Sequence, residues 1–386
     1  MENVYVVAMG RSAIAKSGKK SALRNSHPVS LGGQVLRGVL DKVPEIKPSD
    51  IDDVICGCAT PERQQGTNLG RLVAYRGGLP VTVPGMTVNR FCSSGLQAIE
   101  IAAAQIECGF ANCIVAGGVE MMTLVPQPAD PAIVDPWMMK NKPDFYISMG
   151  MTAEAVALAR GITREEMDQF SYESHMKAAA AQDAGKFDDS IIPVKGVDDD
   201  GNKIMFTKDQ GIRRDTNLEV LATLKTPFRA DGLVTAGNSS QTSDGASFVV
   251  LMSGEKMKEL GLKPIARFVA YAVTGHEPSV MGLGPIYAIP KVLKEFDFKL
   301  EDMDVIELNE AFASQAIPVI RQLGLDPKKV NPNGGAIAMG HPMGATGGVL
   351  TCKALDELKR TGGKYAMVTM CIGMGMGAAG IYEMCD

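Results

Sequence analysis

The chain has 386 residues, 45% of them hydrophobic and 22% charged, with a formal net charge of −5. That length suits two or three domains with ordinary cores, and the balance excludes disordered, collagenous and coiled-coil chains. No block of Lys and Arg supplies the basic face of a nucleic-acid binder, so nucleic acid is not an expected partner.

The chain opens on an apolar run, Val4–Met9, that lacks the basic flank and the length of a signal peptide. No stretch reaches the ~18–20 apolar residues of a transmembrane helix. The end, Glu383-Met384-Cys385-Asp386, is neither a peroxisomal address nor a prenylation box. Eight cysteines are too few for a disulfide framework. These features predict a reduced, cytoplasmic chain with no membrane span.

Next comes a repeat. Asp50-Ile51-Asp52-Asp53-Val54-Ile55 returns as Asp302-Met303-Asp304-Val305-Ile306, each after an amphipathic stretch. Val88-Asn89, a helix over Leu96–Cys108, a strand over Cys113–Ala116 and Gly117-Gly118 follow the first copy. Val330-Asn331, a helix over Gly348–Arg360, a strand over Tyr365–Met370 and the glycine run from Gly373 follow the second. Corresponding points lie roughly 240–250 residues apart, so one βα unit is used twice. Short strands alternating with helices give an α/β class.

Between the copies the pattern changes. Pro126, Pro128, Pro131, Pro136 and Pro143 break it, and helices over Thr152–Arg160 and Thr163–Ala184 follow. The second opens on the capping box Thr163/Glu166. Ile191–Val197 and Lys203–Thr207, around Asp200-Gly201, predict a hairpin. The expected division is therefore 1–118 with 243–263 as the first half, 119–242 as an insertion, and 264–386 as the second half.

Cys92 lies where a strand ends and a helix begins, a place whose free N–H groups favour a thiolate. A cysteine there is either core packing or a nucleophile. His341 stands among Gly334, Gly335, Gly340, Gly344, Gly347 and Gly348, just before a helix, which suits a base. His27, His175 and His276 lie in surface-like segments. Cys371 ends a strand at a glycine turn whose spacing is not that of a dinucleotide-binding loop. Asn309 follows a strand and reads as a helix N-cap on its own. Cys56-x-Cys58 lacks a second pair at zinc spacing, so no metal is expected.

Seven stretches in order resemble the thiolases: Asn89–Gly95, Gly117–Met122, Thr235–Ser240, Met281–Pro285, Asn309–Ala313, Gly334–Pro342 and Cys371–Gly377. The resemblance spans essentially the whole chain. It implies an α/β fold of duplicated βα halves, layered α-β-α-β-α, with an inserted loop domain. The implied reaction is CoA-dependent cleavage of 3-ketoacyl-CoA to acetyl-CoA and a shortened acyl-CoA, with CoA as substrate and no bound cofactor. Cys92 would carry the acyl group, His341 would move its proton, and Cys371 would protonate the departing enolate. Asn309 would hold a water for one oxyanion site, and the N–H groups of Cys92 and Gly373 would form another. Ser240 and Met281 would line the pantetheine of CoA, with Met149, Ala311 and Phe312 also touching substrate and Lys225 near the adenine.

The sequence departs from the family at three places: Met374 replaces a glycine, Lys225 a frequent arginine, and Ser148 the histidine common in acetoacetyl-CoA thiolases. The segment 121–148 is shorter than in tetrameric short-chain members. A broad-specificity homodimer is expected, with a hydratase–dehydrogenase subunit as a further partner. A decarboxylating 3-ketoacyl synthase would lack Cys371, and a non-catalytic scaffold would have lost a thiol or the histidine.

Overall fold

Short runs of β-branched and small apolar residues form strands between helices in the computed structural model, which describes residues 3–126 and 133–385. Pro128 and Pro131 fall outside the described residues. The first half runs β1 (Val4–Arg11), β2 (Ala15–Lys16), α1 (Pro28–Leu40), β3 (Asp53–Gly57), α2 (Leu69–Arg76), β4 (Met86–Val88), α3 (Ser94–Glu107) and β5 (Cys113–Met121). Then come α4 (Pro136–Asn141), α5 (Met149–Arg160), α6 (Arg164–Asp183), β6 (Val194–Val197), β7 (Lys203–Phe206) and α7 (Leu218–Ala222). The sheet resumes with β8 (Ser243–Ser253), α8 (Gly254–Glu259) and β9 (Ala266–Gly275). The chain closes with α9 (Gly284–Glu295), β10 (Val305–Leu308), α10 (Ala313–Leu323), α11 (Ala336–Met339), α12 (Met343–Thr361), β11 (Tyr365–Ile372) and β12 (Met376–Met384).

The strand order is β4-β3-β5-β8-β1-β9-β12-β11-β10, and the two halves mirror each other along it. β3 runs parallel to β4 and β5, and β10 runs parallel to β11. Val330 bridges Ile306 in parallel, taking the place that β4 has in the first half. The repeated aspartate explains part of the sequence repeat. Asp52 accepts the N–H groups of Asn112 and Cys113 at 2.6 and 3.0 Å, and Asp304 accepts those of Lys364 and Tyr365 at 2.6 and 3.1 Å. Each carboxylate thus fixes the start of the strand that follows the helix. β1 and β9 join the halves antiparallel over Val4–Val6.

The period-two alternation of the strands sorts side chains into layers. Val115 and Val119 of β5 face α1 and α2, while Ile114 and Ala116 face the middle of the molecule. There α3 and α12 bury Leu96, Ile99, Ile106, Leu350, Leu355 and Leu358 between the halves. Each such side chain contributes about 1.5–3 kcal/mol. Met367 and Ile381 face α9 and α10 on the far side. The layering is α-β-α-β-α.

β5 continues to Met121, so the chain leaves the sheet after that residue rather than at 119. The second half has only the turn Gly373–Gly375 at the matching place. The insertion is fastened by Arg11 and Asp209, both with fully buried side chains, through two bonds of 2.8 and 2.9 Å. The capping box is present at α6, and β6 and β7 pair as the hairpin. No helix among the described residues is long and apolar enough to cross a membrane.

Candidate active site

Duplication sets the two chemical turns in equivalent positions. Cys92 lies in a tight turn, Phe91–Ser93, just before α3, and His341 stands just before α12. The two helix starts press together on glycine. A Cβ on Gly95 would lie 2.7 Å from the Gly344 carbonyl oxygen, and one on Gly347 would lie 2.1 Å from the Leu96 nitrogen. Only residues without a side chain allow that approach. This is also why α12 begins at Met343, well before the expected Gly348.

Cys92 is buried among Ala59, Met122, Met343 and Phe91. The backbone N–H groups of Gly373 and of Cys92 itself reach its sulfur, yet burial pushes the thiol up to about 11, and the Glu120 carboxylate acts in the same direction. The thiolate expected from a helix terminus is therefore corrected: loss of water outweighs two donors, and the resting group is a thiol. Cys371, at the end of β11, is fully buried and raised well above the ordinary thiol value, first by burial and then by the neighbouring Cys92.

His341 is 7% exposed, and burial lowers its pKa to about 4, so the ring is neutral at pH 7. Its Nδ1 lies 2.7 Å from Thr346 Oγ1 and its Nε2 3.4 Å from Asn309 Nδ2. Asn309 is not an N-cap, because α10 starts only at Ala313. Its backbone N–H donates to the Thr369 carbonyl, and its buried side-chain oxygen has no hydrogen-bond partner.

A second wall closes over Cys371. Met149 and Ala153 of α5 and Val234 of the insertion pack with Met281, Ala311 and Phe312 around this sulfur. Ser240 joins them by donating its N–H to the Ala311 carbonyl at 2.9 Å. Glu154 holds the Leu233 and Val234 N–H groups at 2.9–3.0 Å, which presses that loop onto the wall. Gly373 faces Met149 and Phe91: a Cβ on it would lie 3.7 Å from either side chain, an ordinary contact. Lys225 does not join this group; it lies exposed on the loop after α7.

Sequence reasoning missed Thr346, in the first turn of α12, whose hydroxyl meets the His341 ring only once the chain between them turns into the helix. It also gave Glu120 no role, although a glutamate inside the apolar strand Cys113–Met121 is a signal in itself. His175 is corrected from surface to buried: its Nδ1 accepts the Arg213 N–H, and burial lowers its pKa to about 4. His27 caps α1 and His276 is half-buried beside Tyr287. Among the described residues no group of three or more His, Cys, Asp or Glu is arranged to hold a metal ion.

Two neighbouring buried thiols, a neutral imidazole and converging N–H donors on this duplicated scaffold define an acyltransferase. Residues 4–255 match the family model "Thiolase, N-terminal domain" and residues 262–384 match "Thiolase, C-terminal domain". The chain belongs to the thiolase family. A 3-ketoacyl-CoA thiolase of Bacillus subtilis is 46% identical over 100% of both chains. An acetyl-CoA acetyltransferase of Chromobacterium violaceum is 43% identical over 97% of this chain and 98% of its own. The crystal structure of human mitochondrial 3-ketoacyl-CoA thiolase superposes with a TM-score of 0.91 at 36% identity, covering 100% of this chain and 99% of that one.

Proposed function

We propose that the chain cleaves 3-ketoacyl-CoA with a second CoA, giving acetyl-CoA and an acyl-CoA two carbons shorter, and runs the reverse condensation with the same groups. The observation that carries the reading is the pair of buried, neighbouring thiols, one of them beside two backbone N–H groups. Cys92 attacks the keto carbon as its proton passes to His341. The bond between C2 and C3 then breaks, leaving an acyl-Cys92 and the enolate of acetyl-CoA. Cys371 gives its proton to C2 of that enolate. The proton on His341 then passes to the Cys371 thiolate, which restores both groups. CoA next attacks the thioester while His341 accepts its thiol proton; the acyl group passes to CoA, and Cys92 leaves as a thiolate that takes the proton back from His341.

Neutral resting groups suit this sequence. Charge appears only as bonds change, and it appears where donors already point. The N–H groups of Cys92 and Gly373 would bind the acyl oxygen. Protonated His341 and a water held by Asn309 would bind the enolate oxygen. Ser240, Met281, Met149, Ala311 and Phe312 would line the pantetheine and acyl chain, and Lys225 would meet a phosphate of CoA.

This assigns the chain to fatty acid β-oxidation in the cytoplasm, as a homodimer that works with a hydratase–dehydrogenase subunit. The homodimer is supported by the free sheet edge at β4 and by the exposed Leu72, Tyr75 and Val81 close to it in the chain. A second reading, an acetoacetyl-CoA thiolase in the condensing direction, is favoured by the relative named acetyl-CoA acetyltransferase. CoA-dependent loss of 3-ketoacyl-CoA absorbance over a chain-length series separates the two. Medium-chain turnover at least equal to that of acetoacetyl-CoA supports the first reading, and activity confined to four carbons supports the second.

A further inference from the structure

Glu120 is 1% exposed at the end of β5. Its Oε1 accepts from Gln65 Nε2 at 2.7 Å and from the Thr60 N–H at 3.3 Å. Its Oε2 accepts from the N–H groups of Ala59 at 2.7 Å and Gly344 at 2.9 Å. Cys58 Sγ lies 3.7 Å from Oε1 as a further, weak donor. Every group around this carboxyl donates, so a proton on it would displace one of these donors. One of the donors is the N–H of Gly344 in the first turn of α12, where the helix dipole also favours an anion. Glu120 is therefore a carboxylate, even though burial pushes its pKa up.

Three chain segments meet at this charge, and the same three build the pocket of Cys92. Ala59 belongs to the first, Met122 follows Glu120 itself, and Met343 precedes Gly344; these side chains surround the nucleophile. The third segment also carries His341, whose carbonyl accepts the Met343 N–H at 2.9 Å. We infer that Glu120 is a positioning residue for thiolysis: a buried anionic clamp that locks the wall around Cys92 to the segment bearing His341 and sets its negative charge beside the pocket of the nucleophile. The inference rests on the assignment of Cys92 as nucleophile.

The effect of that charge on the thiol follows from its sign. A fixed negative charge disfavours a second one nearby, and Glu120 acts in this way on Cys92 and also on Cys56 and Cys58. The other titratable groups that the proposed mechanism sets at Cys92 are Cys371 and His341, and both are neutral. A thiol held neutral at rest is shielded from adventitious alkylation and oxidation, because the thiolate is the reactive form.

Two variants separate charge from clamp. Glu120→Gln keeps the size and removes the charge. We expect kcat to fall at least about tenfold with KM within about threefold, since positioning acts on the transition state. We also expect iodoacetamide to label Cys92 about three- to tenfold faster at pH 8, because the thiol pKa drops. Glu120→Asp keeps the charge and withdraws the carboxylate by one methylene. It should lose kcat while labelling of Cys92 stays near the parental rate. A parental kcat in either variant, or a parental labelling rate in folded Glu120→Gln, overturns the inference. If Glu120→Gln does not accumulate as folded protein, Glu120→Asp decides on kcat and labelling together. Acetylation of parental Cys92 by acetyl-CoA, measured in parallel, tests the nucleophile assignment by itself, and its absence overturns both.

Discussion

Thr346 gives the His341 ring a hydroxyl that either accepts from Nδ1–H or donates to Nδ1, so Nε2 is free to serve as base or as donor at different steps. Thr346→Val removes that partner with little change of shape. Losing a buried hydrogen bond costs ~1–3 kcal/mol, so kcat should fall roughly 5- to 100-fold while KM changes little. Steady-state kinetics of the variant checks this. Met374 sits at φ +66 in the turn that carries Gly373. A side chain there costs ~1–2 kcal/mol, partly offset by the greater freedom of glycine when unfolded. Met374→Gly should therefore raise stability by up to ~1 kcal/mol, read as a shift of the urea midpoint.

At the scale of elements, β10, α12 and the glycine-rich segment before α11 are tied by one buried ion pair. Lys353 Nζ lies 2.6 Å from Glu307 Oε2 and 2.6 Å from the Gly334 carbonyl. Lys353→Met would strand Glu307, whose Oε1 already lacks a partner, and should cost ~3–5 kcal/mol in urea unfolding. Adding Glu307→Gln to that variant should recover part of the loss. These elements also separate what is legible in a sequence from what is not. The strands, the repeated aspartates and the α6 cap follow from local rules of period and capping, and they are legible. The true start of α12 is not, because Gly344, Gly347 and Gly348 look like helix breakers. Their reason lies in α3, far away in the chain. The neutral state of Cys92 is hidden for the same kind of reason: helix position is local, whereas burial is set by Ala59, Met122 and Met343 from three separate segments.

Across the whole molecule, two buried histidines predict an acid limit. His175 and His341 both fall from an ordinary 6.5 to about 4, through burial. Between those values the unfolded chain binds protons that the folded chain does not, so stability rises with pH across about 4 to 6.5 and is lost on acidification through that window. Urea midpoints measured from pH 4 to 7 should show this slope, and His175→Gln should flatten it without touching the catalytic groups. Light scattering should give the mass of a dimer, and charged substitutions at Leu72 and Tyr75 should shift it toward a monomer. A tetramer would contradict the homodimer.

The proposed reaction divides its labour between two sulfurs: Cys92 would carry the acyl group and Cys371 would move the carbon-bound proton. Site-resolved mass spectrometry after incubation with acetyl-CoA isolates that division, because acetylation of the enzyme makes no carbon–carbon bond. An acetyl group is expected on Cys92 in the parental chain and in Cys371→Ala, and none in Cys92→Ala. An acetyl adduct on Cys371, or one that persists in Cys92→Ala, would contradict it.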